Sequence, residues 1–547
     1  MSSPGPVTDG PGPSADGPGP AADRWLVLAV ALTSTCLVVG GVSIANLAIP
    51  SMQRGLHTGF AEVMLAVAGY GLSYTVFLTT GGRLGDLLGR KPVLLAGLAL
   101  FTLAVTACGL APDAPVLIAA RLLQGVGAAL VYPQVLSVIE DTFTGRERTT
   151  ALGAFGAAIG VAIVAGQLLG GAVIQWDLAG LGWRPAFLLL APVGLAALGT
   201  GALVLRGGPR PGPVRIDWGG IGAIAGGLLL LVAPLLLGPD TGWPWWTWAM
   251  LAAAPLLFAR LVACELRQVR LGRVPLLRPE LFRQRSFTLG MVIGTVYFVT
   301  VVGFTVYTTL TLQLGGGLTP LHAGLAFTPV GVAFFAASLL GPRLALLRGR
   351  GALSLGCALL AAGLAADLAV VRSAGTGLSP WQLAGPLVLV GAGQGFAMSP
   401  LIGTVLAGVR PEDRGSASGA LSTAFQLGQT LGLAGFGTLF AALGARPGVA
   451  RAAERYHSAY AASLLLLVVL ALAVVALVQR LPQPGPPERH RHFPWARHGT
   501  RTGLAHAHFH LTGGHAVGWL THWIHEHEPH ADRARPRPPL AAATERN

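Results

Sequence analysis

Two polar residues, Arg121 and Gln124, lie within a long apolar segment, and Arg121 is about two helical turns from its start. A charged side chain at that depth in a membrane costs roughly 3 kcal/mol unless it faces a polar or hydrated interior. Gln124 follows one turn later and so lies on the same helical face. We predict that both residues shape a polar cavity. The alternative is a structural Arg121 that hydrogen-bonds carbonyl groups of the first apolar segment.

Amide, hydroxyl and tyrosine side chains recur in other apolar segments and could line the same cavity. Aromatic faces with a few amides suit amphipathic or cationic organic molecules better than sugars, which need many converging hydrogen bonds. For each side chain, a hydrogen bond between helices is the alternative role. The candidate cavity residues are Ser43, Asn46, Arg121, Gln124, Gln167, Tyr297, Tyr307 and Gln426, with Gln134, Gln313 and Gln394 in the wider group.

Acidic residues that could carry a proton across a membrane are few in these segments. Asp367 and Glu62 each fall near the end of an apolar segment, and Glu140 and Asp141 fall at the end of another. None is predicted to be central. The residues alone therefore do not indicate a proton carrier.

A short charged segment, Gly82–Lys91, separates two long apolar runs and returns about 260 positions later as Gly341–Arg350. The glycines and arginines keep their spacing in the copy, but Asp86 becomes Leu346. We predict a charged, glycine-bearing turn between two membrane spans at both places.

The elements that position these residues are long apolar helices. Only 11% of the chain is charged, about half of the usual share for a soluble domain, and each apolar run is long enough to cross roughly 30 Å of hydrocarbon. The sequence predicts an all-α polytopic membrane protein with fourteen spans. They lie near 25–50, 60–80, 92–111, 115–138, 149–174, 184–205, 218–238, 244–263, 287–313, 320–342, 351–372, 381–408, 414–443 and 457–479.

The two ends of this set of spans repeat each other beyond the charged segment. The repeated pairs are Gly125 with Gly391, Gly127 with Gly393, Arg148 with Arg414, Ala151 with Ala417, and Gly153 with Gly419. Parallel repeats of this kind are typical of transporters that handle substrate between two halves. The predicted domains are a disordered tail (1–23), a six-helix half (24–205), a linker with two inserted spans (206–286), a second six-helix half (287–480) and a histidine-rich tail (481–547).

Basic residues indicate how the spans are oriented. With the amino terminus in the cytoplasm, the inward short loops hold twenty Arg and Lys residues and the outward loops hold six. This asymmetry satisfies the positive-inside rule. We expect both termini in the cytoplasm and the protein in the cytoplasmic membrane.

Three segments resemble motifs of the major facilitator superfamily, and the span count resembles its fourteen-span drug:proton antiporter branch. Gly82–Lys91 is similar to the family signature between spans 2 and 3, and Arg121–Gly127 is similar to the fourth-span motif. The fifth span resembles the antiporter motif, with Gln167 where a proline is usual. The resemblance covers roughly residues 25–480. It implies two six-helix halves, related by a pseudo-twofold axis, that export small molecules by alternating access.

The resemblance also implies roles for particular residues. A conformational latch would comprise Gly82, Asp86, Gly89, Arg90 and Lys91, and a helix bend would comprise Gly166, Gly170 and Gly171. In the first span, however, Gly41 stands where the branch usually has an aspartate, which leaves Ser43 and Asn46 as the polar groups. Proton coupling is thus an expectation that rests on the resemblance.

The carboxyl-terminal tail after Leu481 holds eleven of the 14 histidines. Closely spaced imidazoles can bind Zn²⁺, Ni²⁺ or Cu²⁺, and His506, His508 and His510 are the candidates here. The alternative is a disordered tail of biased composition, and we assign no metal site.

The leading hypothesis is a monomeric exporter of amphipathic or drug-like molecules, with protons as the coupling ion and the lipid bilayer as its surroundings. We expect no enzymatic activity and no cofactor, because no P-loop, His-Glu-x-x-His segment or catalytic-triad motif is present. We also expect no nucleic-acid partner, because the basic residues are scattered in short loops. One alternative is export or facilitated movement of an endogenous metabolite without protons. Another is a membrane-anchored metal sensor or scaffold that acts through the histidine-rich tail.

Overall fold

The computed structural model describes residues 21–205, 218–270, 279–406, 409, 414–444 and 452–481, and these are almost entirely helical. The predicted disordered amino-terminal tail up to residue 20 and the histidine-rich tail after residue 481 lie outside the described residues. The helices are α1 (Ala21–Leu56), α2 (Phe60–Leu88), α3 (Arg90–Gly109), α4 (Ala114–Thr142), α5 (Gly145–Trp176), α6 (Arg184–Leu188), α7 (Leu190–Val204), α8 (Trp218–Thr241), α9 (Trp245–Arg270), α10 (Arg285–Leu310), α11 (Pro320–Arg348), α12 (Arg350–Ala374), α13 (Ala384–Leu406), α14 (Arg414–Gly444) and α15 (Ala452–Gln479).

These helices confirm the predicted all-α membrane fold. Among the described residues, 13 helices are long and apolar enough to cross a membrane. The remaining predicted span corresponds to α14, which is 31 residues long. Two spans are less regular than predicted: the sixth is divided into α6 and α7 at Leu189, and α10 continues into a π-helical turn, Thr311–Gly315.

The predicted charged turn is wrong in extent, because α2 continues through most of Gly82–Lys91 and ends only at Leu88. The break is confined to Gly89, whose φ of 91° is a conformation that favours glycine. The second copy behaves in the same way: α11 runs to Arg348, and Gly349 with φ 52° separates it from α12. We call this side of the molecule the Gly89 end, and the opposite side, which holds the loop at Trp183, the Trp183 end.

Helix packing shows two six-helix halves with matching arrangements. In the first half, α4 packs between α2 and α3, and α5 packs against α1. In the second, α13 packs between α11 and α12, and α14 packs against α10. The contacts between halves also match, since α5 meets α11 and α14 meets α2. This correspondence is what a pseudo-twofold axis along the membrane normal requires.

The repeated glycines explain why the two halves fold alike. Gly125 faces the carbonyl oxygen of Tyr70 on α2, and its counterpart Gly391 faces that of Val330 on α11, so closely that a β-carbon would overlap either oxygen. Small residues at such positions let two helix backbones approach each other in a membrane. The repeat in sequence is therefore a repeat in helix packing.

The two inserted helices lie outside both halves. α8 packs against α2 and α14, and α9 packs against α8. The Thr438 hydroxyl on α14 donates a hydrogen bond to the Leu235 carbonyl of α8. α8 thus covers one of the two places where the halves meet.

Candidate functional site

Arg121 is held in the interior of the first half, where α4 faces α2. It is 1% exposed. Its Nη1 donates to Gln124 Oε1 at 2.7 Å, and its Nε donates to the Ala66 carbonyl at 3.4 Å. The structure thus brings the predicted pair together. The alternative acceptor on the first span is wrong, because Ala66 belongs to α2.

Aromatic rings complete the surroundings of the Arg121 guanidinium. Its central carbon lies 4.6 Å from the ring centre of Tyr70 and 5.9 Å from that of Phe187. Both distances fall within the range of cation–π attraction. Among the described residues, no carboxylate pairs with Arg121. Its charge is stabilised there by neutral groups, namely the two hydrogen-bond acceptors and the two aromatic rings.

Gly41, where the family resemblance implies an acid, lies directly against this cluster. A β-carbon on Gly41 would lie 3.0 Å from Gln124 Nε2, and that buried amide nitrogen has no hydrogen-bond partner. A carboxylate at position 41 would therefore meet both an unused donor and the helix that carries Arg121. With glycine at this position, the Gln124 nitrogen stays without an acceptor.

The predicted cavity residues on α1 and α5 lie where α1, α5 and α11 meet. Ser43 donates to the Val39 carbonyl at 3.3 Å, and Asn46 is buried one turn further along. Gln167 is also buried, and its Oε1 has no hydrogen-bond partner. Its main chain touches α11, because a β-carbon on Gly324 would lie 2.6 Å from the Gln167 carbonyl oxygen.

The cavity residues predicted in the second half are buried as well. The Tyr297 hydroxyl donates to the Gln394 carbonyl at 3.2 Å, and the Tyr307 ring meets the Phe436 ring edge-on at 5.5 Å. Gln426 accepts from Gln429 at 3.0 Å and faces Gly71 of the other half.

The eight predicted residues therefore occupy three places rather than one open cavity. Arg121 and Gln124 lie inside the first half, and Tyr297 and Tyr307 lie inside the second. The residues that lie where the halves meet are Ser43, Asn46, Gln167 and Gln426. The alternative role, hydrogen bonding between or within helices, describes Arg121 and Tyr297 in this conformation. Which of the eight contact substrate stays a prediction.

The three glycines predicted to bend α5 serve in this structure as sites of close approach. α5 is continuous from Gly145 to Trp176. A β-carbon on Gly166 would lie 2.9 Å from the Ser43 β-carbon of α1, and one on Gly171 would lie 2.8 Å from the Pro320 carbonyl oxygen of α11. Gly170 faces Ile44 of α1 in the same manner.

The predicted latch is only partly assembled at the Gly89 end. Arg90 forms an ion pair with Asp141 of α4 and donates to the Ser137 carbonyl at 2.7 Å, whereas Asp86 is exposed. Lys91 donates to the Ala202 carbonyl at 2.9 Å. The tight contact with α4 is made by Gly85, which lies against Gln134, while a β-carbon on Gly82 would come no closer than 3.9 Å to Pro133.

The two halves are joined at the Trp183 end. Gln313 of the π-helical turn donates to the Leu47 carbonyl of α1 at 2.9 Å, and Thr319 donates to Gln175 Oε1 at 2.6 Å. Gly171 and Gly324 bring α5 and α11 into backbone contact nearby. At the Gly89 end, α4 and α13 show no comparable packing across the halves in the described part of the chain.

An aromatic row in the first half was missed by the sequence reasoning. The ring of Tyr74 lies 5.9 Å from that of Tyr70 and 6.3 Å from that of Tyr132, and Tyr132 lies 5.8 Å from Phe155. Tyr132 is partly exposed. The spacing of Tyr70 and Tyr74 by four residues was the available signal, since such residues stack on one helix face.

No group of three metal-ligating side chains is found among the residues that the structure describes. The histidines suggested as metal ligands, His506, His508 and His510, lie outside them.

A family model described as the Major Facilitator Superfamily matches residues 31–433, nearly the whole helical region. The chain belongs to this superfamily. It is therefore a transporter and not an enzyme, as predicted.

Several relatives are named as transporters or export proteins. The chain is 36% identical over 418 residues to the protein named as probable actinorhodin transporter of Streptomyces coelicolor, which covers 76% of this chain and 72% of that one. It is 31% identical to the tetracenomycin C resistance and export protein of Streptomyces glaucescens, over 76% of this chain and 74% of that one. It is 33% identical to the cephamycin export protein CmcT of Amycolatopsis lactamdurans, over 83% of this chain and 92% of that one.

Solved structures support the fold. A chain from a study of substrate recognition in proton dependent oligopeptide transporters aligns with a TM-score of 0.59 and 18% identity, covering 84% of this chain and all of that one. At this identity, the likeness concerns the arrangement of helices alone.

Proposed function

We propose that this superfamily member exports small drug-like molecules by alternating access between its two halves. The observation that carries the proposal is the similarity to two proteins named for export and one named as a probable transporter, over three quarters or more of the chain. The geometry agrees with it. The halves touch at the Trp183 end through α5 and α11, and they also meet through α2 and α14, where the Thr79 and Thr423 hydroxyls are 3.2 Å apart. We take this conformation to be the one closed at the Trp183 end.

The substrate class is amphipathic organic molecules with aromatic parts. The row Tyr70, Tyr74, Tyr132 and Phe155 supports this choice, because ring faces attract flat apolar and cationic groups. The names of the actinorhodin and tetracenomycin C relatives suggest the first compounds to try.

The proposed orientation rests on basic residues. Among the described residues at the Gly89 end are Arg83, Arg90, Lys91, Arg348 and Arg350, which supports a cytoplasmic position for that end, and with it for both termini, in the cytoplasmic membrane. Exposed tryptophans at the Trp183 end, Trp176, Trp245 and Trp381, fit an interface with lipid headgroups. We take the working unit to be a monomer, since each half is completed by the other.

Coupling to protons is part of the proposal. The resemblance to the antiporter branch supports it, and Asp86 would latch the Gly89 end in the state in which that end is closed. The glycines Gly166, Gly170 and Gly171 would bend α5 during the change. The second candidate function is export of an endogenous metabolite without protons, which the glycine at position 41 favours.

Accumulation in cells tests the export claim. Cells with and without the protein would be loaded with actinorhodin, tetracenomycin C, a cephamycin and the fluorescent cation ethidium. We expect lower accumulation of at least one compound when the protein is present. Equal accumulation of all four, with the protein shown to be in the membrane, would refute export of this substrate class. Removing the residues after Leu481 should leave export intact, and loss of export would instead favour the metal-sensor alternative.

A further inference from the structure

Asp367 is a fully buried acid that the export proposal has not used. It lies on α12, seven residues before the last residue of that helix, Ala374, which places it about 10 Å from the Trp183 end. Its exposure is 0%. One carboxyl oxygen, Oδ2, contacts the Tyr460 hydroxyl of α15 at 2.8 Å, and the other, Oδ1, is buried without a hydrogen-bond partner.

The contacts continue from α15 to α10 as a chain of oxygens. The Tyr460 hydroxyl is 2.9 Å from Thr308 Oγ1, and Thr308 Oγ1 is 2.8 Å from the Phe304 carbonyl oxygen. Three contacts need three hydrogens. With Asp367 ionised, Tyr460 and Thr308 supply only two. With a proton on Oδ2, Asp367 donates to Tyr460, Tyr460 donates to Thr308, and Thr308 donates to the Phe304 carbonyl. Each of the three contacts is then a hydrogen bond with its own hydrogen.

No positive charge offsets Asp367 in the described part of the chain. None of the ion pairs there includes it, and α13, which packs against α12, has no ionisable side chain. Arg372, on α12 itself, is exposed. The ionisable residue that contacts Asp367 from a neighbouring helix is Tyr460 of α15, and Tyr307 of α10 is next to Thr308 in sequence. The others on helices packed against α12 lie toward helix ends and are His322, Arg343, Arg348, Glu454, Arg455, Tyr456 and His457.

The same chain of contacts reaches the place where the two halves meet. Thr308 precedes the π-helical turn Thr311–Gly315 by three residues, and Gln313 of that turn donates to the Leu47 carbonyl of α1. π-Helical turns are frequent at functional sites. α15 also touches the turn directly, because a β-carbon on Gly315 would lie 2.9 Å from that of Tyr456.

We propose that Asp367, with Tyr460 and Thr308, is a proton-binding site whose occupancy permits closure of the Trp183 end. This inference rests on the proposed proton coupling and names the residue that carries the proton. When the Trp183 end is open, water reaches Asp367 and a proton from that side binds Oδ2. The neutral carboxyl is then buried without the cost of an unpaired charge, α15 and α10 take up the hydrogen-bonded arrangement, and Gln313 meets Leu47.

The test measures the Trp183 end of the purified protein at different pH values without any substrate. The four free cysteines would be replaced, and spin labels would be placed on cysteines substituted for the exposed residues Trp176 of α5 and His322 of α11. We expect the ratio of closed to open forms to fall as pH rises, by up to about tenfold per pH unit for a single proton. In Asp367→Asn, whose amide donates as the protonated acid does, the closed form should persist at every pH.

Matched variants separate this site from other ionisable groups. Glu62→Gln changes an exposed acid at the same end, and His457→Gln removes the imidazole one turn from Tyr460; both should keep the wild-type response to pH. A wild-type ratio independent of pH, or an Asp367→Asn ratio that still responds, would overturn the proposal. If Asp367→Asn does not reach the membrane, Tyr460→Phe decides: its midpoint must shift, and an unchanged midpoint overturns the proposal. Failure of export in cells would refute the proposed function without altering these ratios.

Discussion

The close contact between α5 and α11 predicts that adding one methyl group to Gly324 shifts the protein away from the conformation seen here. In Gly324→Ala, the new β-carbon would lie 2.6 Å from the Gln167 carbonyl oxygen and 3.1 Å from its carbonyl carbon. An ordinary carbon–oxygen contact is about 3.4 Å, so the helices must separate by roughly 0.8 Å. Both neighbours are main chain and cannot rotate away.

The size of the effect follows from the cost of overpacking. Forcing an extra methyl group into a tight contact costs about 1–3 kcal/mol, and only the state closed at the Trp183 end bears that cost. The better helix propensity of alanine, about 1 kcal/mol, applies to both states and cancels. The ratio of closed to open forms should therefore fall about 5- to 150-fold.

Spin-label distances between positions 176 and 322 measure this ratio directly. Gly199→Ala on α7 is the matched control, because a β-carbon there meets nothing within 4 Å, and it should leave the ratio unchanged. An unchanged ratio in Gly324→Ala, in protein that folds as well as the control, would refute the idea that this contact closes the Trp183 end.

Three further variants test separate parts of the structure. Gly391→Ala should lower the melting temperature of the purified protein, since its β-carbon would overlap the Val330 carbonyl oxygen within one half; a melting temperature equal to that of Gly199→Ala would contradict this. Gly41→Asp should increase the stimulation of ethidium efflux by a pH gradient, because the acid meets the unused Gln124 nitrogen once the Gln124 side chain shifts by a few tenths of an ångström; no change in stimulation, in a variant that reaches the membrane, would contradict this. Asp86→Asn should impair efflux while leaving membrane insertion intact, and unchanged efflux would dispose of the latch.

The helices could be predicted from the sequence because the property that defines them is local. Each span is an uninterrupted apolar run that satisfies its own backbone hydrogen bonds. The limits were less certain, as α2 shows: Gly82 and Asp86 read as a turn, yet only Gly89 adopts a conformation that interrupts the helix. The glycines and charged residues in the sequence therefore did not locate the end of α2, which the structure places at the residue with a positive φ, Gly89.

The roles of the site residues were harder to predict, because they depend on which side chains meet across different helices. The pattern within one span does not show those contacts. Arg121 and Gln124 were paired correctly because they share one helix face. The acid that Arg90 meets is Asp141 of α4 rather than Asp86, a contact across 51 positions. Asp367 was placed near a span end and set aside, whereas the structure buries it in contact with Tyr460, a residue of the last helix.

Uptake by membrane vesicles turned inside out tests the central claim most directly. Vesicles that contain the protein would be given ethidium or actinorhodin outside and an imposed gradient with an acidic interior. The account predicts accumulation of at least one compound inside the vesicles above its external concentration, and loss of that accumulation when the gradient is collapsed. Accumulation no greater than in vesicles without the protein would contradict export by this molecule.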